Sequence, residues 1–259
     1  MLFRSSKEEL ENLGGKYFQD LRSRRNKHLT EERWLFEKPY FAFYSNSDDE
    51  AVGFWESWSE SVMDQVELVQ YLQKYFDEKG HNNLVVRLHP NLTTKSEAER
   101  KRWSSIKDSP HSRVIESNEK ISSYEILDQA IGVISFGSTI GLEAAFHRKP
   151  SAILADCWYD EIGVADKLHS IEDLIHWIEI TSQSISPNEI TNRHERSLVR
   201  GLWLECAGNN FESTQLKELS WGSWEVIRCF DVKLKRSRIT EVISILTNRL
   251  KRISRGLQP

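Results

Sequence analysis

Residues 85–91 place an imidazole where it can do chemistry, because His89 directly follows an apolar run and directly precedes a proline. Pro90 restricts His89 to extended backbone geometry and cannot itself continue a strand ladder. A histidine held in this way can donate a hydrogen bond to a phosphate oxygen or a departing pyrophosphate. Arg87 can add positive charge if its side chain turns toward the same place. The alternative is a histidine that ends a strand with a backbone hydrogen bond.

A second segment, residues 135–145, combines hydroxyl side chains with glycines where a strand gives way to a helix. Either Ser138 or Thr139 is predicted to cap this helix, and free amides at a helix N-terminus attract anions such as a diphosphate. The hydroxyls here, including that of Ser135, add donors for phosphate oxygens. Glu143 follows about one turn into the helix, a position from which it can reach ribose hydroxyls. The alternative is an ordinary capped helix.

Polar residues also follow the first apolar run. Ser45, Asn46 and Ser47 can offer amides and hydroxyls to a sugar nucleotide. The acids at 48–50 lack the alternating spacing that directs several oxygens at one cation. We therefore expect a site that works without a metal or other cofactor. The alternative for these acids is the acid-rich start of a helix.

The motifs of several common enzyme classes are absent from the sequence. There is no G-x-G-x-x-G, no G-x-x-x-x-G-K-[ST] and no G-x-S-x-G. Dehydrogenase, P-loop and hydrolase functions therefore lose their main support. No residue of the chain is singled out as catalytic.

Strands and helices are predicted to alternate around these motifs. Apolar runs predict strands at 40–44, 84–88, 113–115, 132–135 and 151–154. Helical spacing or flanking turn residues predict helices at 62–76, 97–106, 122–130 and 139–147. This alternation is typical of an α/β fold, a doubly wound parallel sheet of the Rossmann-like kind. Ligands bind outside the carboxyl ends of such strands, which is where each motif falls.

The rest of the chain is predicted to be helical. Residues 1–38 form a polar, charged lead-in with helical spacing, and residues 39–170 hold the alternating pattern of the binding domain. No strand pattern is apparent after Ile171. Residues 171–259 are therefore predicted to be a helical region with a basic tail, with helices at 171–180, 189–206 and 238–252.

Charge is distributed unevenly along the chain. The formal net charge of −4 does not suggest a nucleic-acid partner, which would need a basic face. Residues 228–255, however, contain nine Lys or Arg against Asp231 and Glu241. This tail is predicted to make peripheral contact with an acidic surface such as the inner face of a membrane. A solvated helix face is the alternative.

Cysteine and tryptophan usage adds two expectations. The three cysteines are widely spaced without a C-x-x-C pair, which favours a reducing, cytoplasmic compartment. No apolar run predicts a signal peptide or a membrane span. Nine tryptophans are many for 259 residues, and we expect core packing for several of them, Trp203 included, with an apolar cleft lining as the alternative.

The order of these motifs resembles that of a known family. The motifs occur in the order S-x-S-x-D-E, R-x-H-P-N and S-x-G-S-T-x-G-x-E-A, and a K-P strand follows them. This order resembles that of the C-terminal domain of capsule polysaccharide biosynthesis glycosyltransferases. These are similar in motif to bacterial Kdo transferases and GT-B sialyltransferases. The resemblance covers about residues 14–165 and depends on the order and spacing of the motifs together.

The resemblance implies a GT-B fold whose C-terminal domain holds a nucleotide-activated sugar, with a CMP-sugar favoured. It implies that His89 and Pro90 match the motif that contacts the nucleotide phosphate, that Ser138 and Thr139 match a second phosphate-binding motif, and that Glu143 matches an acid of the same helix. It also places the acid/base residue in an N-terminal domain. We therefore expect the chain to bind a nucleotide sugar but to need an N-terminal partner domain for transfer to a glycan acceptor.

Two other functions are compatible with the same motifs. Polyol-phosphate transferases of the teichoic-acid type use similar phosphate-binding loops with CDP-glycerol as the donor. A truncated or degenerate transferase could instead bind nucleotide or partners without turnover. Donor profiling distinguishes the first alternative, and a partner chain that supplies the missing domain would argue against the second.

Overall fold

A computed structural model of the protein describes residues 10–25, 39–46, 64–209, 214–220 and 223–229. A helix, α1, spans Gly15–Arg25 and is preceded by a π-helical turn at Leu10–Gly14. The lead-in is thus helical where it is described. The predicted helix at 238–252 and the tail beyond residue 229 lie outside the described residues.

Six parallel strands form the centre of the fold, in the order β3-β2-β1-β4-β5-β6. Their bounds are β1 Tyr40–Tyr44, β2 Asn83–Arg87, β3 Ser112–Ile115, β4 Gly132–Ser135, β5 Ser151–Ile153 and β6 Asp166–Lys167. The strands β1, β2, β4 and β5 are buried throughout, which explains why they appear in the sequence as continuous apolar runs. The predicted Rossmann-like, doubly wound sheet is confirmed. The strand β6 was missed because two residues carry no periodicity.

Helices cover both faces of the sheet. Their bounds are α2 Gln65–Lys79, α3 Glu97–Trp103, α4 Ser123–Gln129, α5 Ile140–Phe146, α6 Ile171–Gln183 and α7 Pro187–Asn209. Side chains of α2, α3 and α6 pack with Phe41 and Phe43 of β1 in one buried cluster. Side chains of α4 and α5 pack with Tyr40, Ala42 and Tyr44 on the opposite face. Alternate residues of β1 therefore point to different layers, as the period of a strand requires.

Specific side chains fix where the helices begin and end. The Asp64 carboxylate accepts the Val66 amide at 2.9 Å and caps α2, which ends at Gly80. Asp166 of β6 accepts hydrogen bonds from Trp177 of α6 at 2.8 Å and from Arg193 of α7, whose two terminal nitrogens lie at 2.7 and 2.8 Å. Both C-terminal helices are thereby tied to the edge of the sheet, and the prediction of extra helices after the sheet is confirmed.

One prediction for the C-terminal region was wrong. Residues 214–220 and 223–229 form two antiparallel strands, β7 and β8, where no strand was expected. Their sequences, TQLKELS and SWEVIRC, mix charged with apolar residues instead of forming a continuous apolar run, and have no strong turn pair between them. This hairpin belongs to a unit separate from the one that contains the sheet. Across the described ranges, no helix is both long and apolar enough to span a bilayer.

Candidate functional site

A cleft of about 640 Å³ opens at the carboxyl edge of the sheet. It lies around the ends of β1 and β4, where the strand order reverses. In a doubly wound sheet, the crevice that binds ligands is found at this point. The strand register keeps these ends level, with Tyr44 of β1 paired to Arg87 and to Ser135. Most of the predicted site residues line the cleft: Ser45, Asn46, Arg87, His89, Pro90, Ser138 and Thr139.

Hydrogen bonds join the ends of β1, β2 and β4 beneath the cleft. The Ser45 amide donates to the Arg87 carbonyl at 3.1 Å, and the Ser45 hydroxyl accepts the His89 amide at 2.9 Å. The Asn46 side chain donates to the Phe136 carbonyl at 2.6 Å. Ser45 and Asn46 are both buried, so their first role in this structure is to hold the neighbouring loops in place. Ser47 and the acids at 48–50 lie outside the described residues.

The ring of His89 is oriented by its own backbone neighbourhood. The Nδ1 atom accepts the Asn91 amide at 3.2 Å, at the start of a 3₁₀ turn that begins with Pro90. A neutral imidazole with an accepting Nδ1 carries its proton on Nε2, and this hydrogen bond assigns that tautomer. The half-buried ring therefore presents an N–H donor on the side away from Asn91. Pro90 itself is exposed at the rim.

Arg87 places a buried positive charge at the bottom of the cleft. Only 5% of the residue is exposed, and its terminal nitrogens donate to the carbonyls of Glu116 at 2.5 Å and Glu119 at 3.3 Å. Nε has no hydrogen-bond partner, and among the described residues no carboxylate forms an ion pair with this guanidinium. Burial lowers the pKa of Arg87, because desolvation disfavours its charged form. An anion in the cleft would relieve this cost.

The turn that carries Ser138 and Thr139 is fixed by tight packing. Gly137 has φ +78°, and a Cβ added there would lie 2.9 Å from the Cβ of Cys157. The buried Tyr159 hydroxyl donates to the Ser138 carbonyl at 2.5 Å. Gly141 makes room for this contact, because a Cβ at Gly141 would lie 2.5 Å from the tyrosine oxygen. Glycines thus allow the turn to run close to the loop after β5.

The N-terminal cap of α5 in the structure differs from the predicted cap in one respect. Thr139 occupies the capping position, but neither its hydroxyl nor that of Ser138 makes a hydrogen bond within the described part of the chain. Both residues are half-buried and line the cleft. Their hydroxyls are therefore available to a ligand, and α5 is only seven residues long. The side chains, rather than the helix end, supply the donors here.

Two predicted site residues do not line the cleft. Glu143 is 1% exposed, and its carboxylate accepts a short hydrogen bond from the Tyr124 hydroxyl of α4. The contact with ribose hydroxyls expected for Glu143 is therefore corrected: the side chain holds α5 against α4. Ser135 is completely buried beneath the turn and is also absent from the lining. It ends the strand without facing a ligand.

The loop after β5 was not predicted to belong to the site, although it follows the carboxyl end of a strand, where ligands bind in such folds. Asp156, Cys157 and Trp158 follow this strand and line the cleft. The Asp156 carboxylate forms an ion pair with Lys167, which also contacts Asp160 at 2.8 Å. These partners raise the pKa of Lys167, the side-chain bond to Asp156 most of all. The negative charge of Asp156 is thus paired, whereas Arg87 forms no ion pair with any described carboxylate.

The loop before α4 contributes Ile121 and Ser122 to the lining, and α4 itself contributes its first residue, Ser123. Ser122 caps α4 by accepting the Tyr124 amide at 3.1 Å. The Tyr44 hydroxyl donates to the Ser123 carbonyl at 2.7 Å, and burial raises the pKa of this tyrosine well above its ordinary value. The phenol therefore stays neutral as a structural donor. Within the described ranges, no group of three His, Cys, Asp or Glu side chains is placed to hold a metal ion.

Comparison with known proteins identifies the family. A family model described as capsule polysaccharide biosynthesis protein matches residues 19–186, which include the sheet and every lining residue of the cleft. The chain belongs to this family. The match confirms the family that the order of motifs predicted. No curated protein matches the chain.

Solved structures of similar fold cover this capsule-family chain in part. The beta Kdo 2,4 transferase KpsC from Thermosulfurimonas dismutans is 12% identical with a TM-score of 0.46, over 74% of this chain and 56% of that one. The UDP-GlcNAc 2-epimerase from Neisseria meningitidis, bound to UDP-GlcNAc, is 12% identical with a TM-score of 0.44, over 78% and 53%. The chain thus spans about half the length of these structures.

Proposed function

We propose that the chain is the nucleotide-sugar-binding half of a GT-B glycosyltransferase for capsular or other surface polysaccharide. Membership of the capsule polysaccharide biosynthesis family supports the biological role. The place of the cleft at the strand-order reversal supports binding of a nucleotide, since that is where doubly wound folds hold such ligands. The acceptor is then a growing glycan, and the protein acts in the cytoplasm.

The observation that carries this proposal is the buried charge of Arg87, which forms no ion pair within the described part of the chain. A buried guanidinium is costly unless it is paired, and this one has carbonyl partners and the attraction of the Glu119 carboxylate, but no carboxylate in ion-pair contact. A phosphate group supplies both the missing negative charge and acceptor oxygens, and Arg suits phosphate because its donors form a planar fork. We assign the phosphates of the donor to the space beside Arg87.

The other cleft donors complete a phosphate site. The Nε2–H of His89 and the hydroxyls of Ser138 and Thr139 lie on loops from two different strands. When the glycosidic bond of a nucleotide sugar breaks, negative charge develops on the departing nucleoside phosphate. Fixed donors aimed at that charge lower the barrier because they need no rearrangement during the reaction. These residues therefore bind the donor and stabilise its leaving group.

A CMP-activated sugar is the donor that we favour. The base that activates the acceptor is proposed to come from an N-terminal partner domain, because a GT-B site lies between two domains and depends on groups from both. The chain alone is then expected to bind donor but to transfer sugar negligibly.

Peripheral membrane contact by residues 228–255 is proposed as well. Its test is co-sedimentation of the protein with anionic and neutral liposomes at low salt, where equal binding to both would argue against it.

A calorimetric screen tests the binding function directly. The full chain is titrated with CMP, CDP, UDP, GDP and their sugars at constant ionic strength. We expect saturable binding of at least one of these, with a preference for the cytidine compounds. Binding of none of them would overturn the proposal, and strong preference for CDP-glycerol would place the chain among polyol-phosphate transferases.

His89→Ala is expected to weaken nucleotide binding by about 1.5–3 kcal/mol, the range for a hydrogen bond to a charged group. The imidazole is one of the fixed donors in the cleft, and alanine offers none. The dissociation constant is measured by calorimetry, and thermal unfolding checks that loss of the hydrogen bond with the Asn91 amide leaves the fold intact.

The matched control is His176→Ala, which removes an exposed imidazole from α6, away from the cleft. This variant should bind nucleotide as the wild type does. If both histidine variants keep wild-type affinity while remaining folded, His89 has only its backbone role.

A further inference from the structure

Among the described residues that line the cleft, one aromatic ring is exposed, that of Trp158. The other aromatic side chains of its lining, Tyr44, Tyr124 and Phe136, are buried in the core with at most 5% of their surface exposed. Trp158 is 45% exposed. An indole at the rim of a cleft that keeps this much surface in solvent is available to stack on a ligand.

The Trp158 indole contacts a cation, which also contacts a second indole. The Arg200 guanidinium of α7 lies over the Trp158 ring, 4.5 Å from its centroid. The same guanidinium lies 4.2 Å from the ring centroid of Trp203, which is 54% exposed. The expectation that Trp203 packs in the core was therefore wrong. This arrangement restricts the rotamers of Trp158 before any ligand arrives.

The backbone next to Trp158 is equally well fixed relative to the phosphate site. Cys157 is buried against Gly137, the residue that precedes Ser138. Tyr159 stacks edge-on against Trp158 and donates to the Ser138 carbonyl. A ligand held at Ser138 is thus presented to an indole whose position is set by both of its sequence neighbours.

The charge around Trp158 also suits the proposed ligand. Arg200 forms no ion pair with any described carboxylate, and its Nε is buried without a hydrogen-bond partner. Its positive charge is held against one face of the indole by a cation–π contact. The rim therefore offers a flat apolar surface beside a cation, which favours a planar, electron-rich ring attached to an anion.

We propose that Trp158, supported by Arg200, is the stacking surface for the nucleobase of the nucleotide in the cleft. This inference rests on the proposed function, which supplies the nucleotide. Stacking on an aromatic ring uses the π-face that every base has, and a saturated sugar ring has none. Trp158 then positions the donor by its base while Arg87, His89 and Ser138 hold its phosphate.

The test compares two substitutions that differ in aromaticity. Trp158→Phe keeps a π-face, whereas Trp158→Leu keeps apolar volume without one. Stacking of a base contributes about 1–3 kcal/mol, so the leucine variant should bind CMP and UMP roughly 5- to 150-fold more weakly, as measured by calorimetry. The phenylalanine variant should stay within a fewfold of wild type. Ribose 5-phosphate, which lacks the base, should bind both variants and the wild type equally.

Each other result counts against the inference in a distinguishable way. Equal CMP affinity in the leucine and phenylalanine variants, whether reduced or not, overturns base stacking. An equal loss for ribose 5-phosphate means that Trp158 shapes the cleft instead. If the wild type binds none of the nucleotides and nucleotide sugars of the calorimetric screen, the proposed function itself fails.

Arg200 and Trp203 provide the positioning test. Arg200→Ala removes the support of the indole and should weaken CMP binding roughly two- to fivefold, with ribose 5-phosphate unaffected, because a cation–π contact at an exposed site is modest. Trp203→Ala removes a ring that contacts Arg200 but does not line the cleft, so its effect on CMP binding should not exceed that of Arg200→Ala. A larger loss in the Trp203 variant than in the Arg200 variant would contradict the assigned arrangement.

Discussion

Replacement of Arg87 by methionine is expected to weaken nucleotide binding by about 2–5 kcal/mol, the cost of removing one partner from a buried, hydrogen-bonded charge pair. Methionine has a similar length and fills the space, but it provides neither charge nor donor. The phosphate would then enter a site with no buried cation to meet it. Calorimetric titration of the variant with the best nucleotide of the screen measures this loss.

Two further variants distinguish the charge of Arg87 from the geometry of its donors and from the effect of removing any positive charge from the protein. Arg87→Lys keeps the charge but loses the planar fork and should recover only part of the affinity. Arg100→Met removes an exposed charge from α3, outside the cleft, and should bind nucleotide normally. Wild-type affinity in a folded methionine variant would show that the donor phosphate does not lie beside Arg87.

The sheet could be predicted closely because its strands are buried on both faces. The runs at 40–44 and 132–135 were predicted residue for residue, and β2, β3 and β5 within one residue at each end. A strand covered by helices on both sides is apolar along most of its length, so its limits are visible in composition. The strand β6 and the hairpin at 214–229 lack such runs and were missed.

The cleft was predictable to the extent that it depends on strand ends. Parallel strands bring their carboxyl ends to one edge, and in the observed order only β1 separates β2 from β4, so the residues after these two strands lie near each other. The structure accordingly places His89 and Ser138 on one cleft. The same rule covered the loop after β5, where Trp158 lies in a segment without a recognisable motif.

Side-chain direction could not be predicted in the same way. The position of Glu143 in α5 is compatible with a role in the cleft, but its carboxylate accepts a hydrogen bond from the Tyr124 hydroxyl of a different helix. Likewise, the support of Trp158 by Arg200 joins a loop to α7 through a contact that no local pattern encodes. Contacts between distant segments decide which polar residues face a ligand.

The other large effect is expected from substitution of Gly137, the glycine in the turn that carries Ser138 and Thr139. Gly137 has φ +78°, a left-handed conformation that costs an L-residue about 1–2 kcal/mol. A Cβ there would also lie 2.9 Å from the Cβ of Cys157, and such overpacking costs about 1–3 kcal/mol. Gly137→Ala is therefore expected to lower the free energy of unfolding by about 2–5 kcal/mol, measured by chemical denaturation.

Gly15→Ala is the matched control for this substitution, because a Cβ at Gly15 would meet its nearest neighbour at an ordinary 3.7 Å. Gly15 is the first residue of α1, and alanine is the better helix former, so this variant should be as stable as the wild type or slightly more stable. In the Gly137 variant, the turn must shift away from Cys157 to remove the clash, which moves Ser138 and Thr139 with it. Nucleotide affinity should therefore fall together with stability. A variant that keeps both wild-type stability and wild-type affinity would show that the turn does not need a glycine to place its hydroxyls in the cleft.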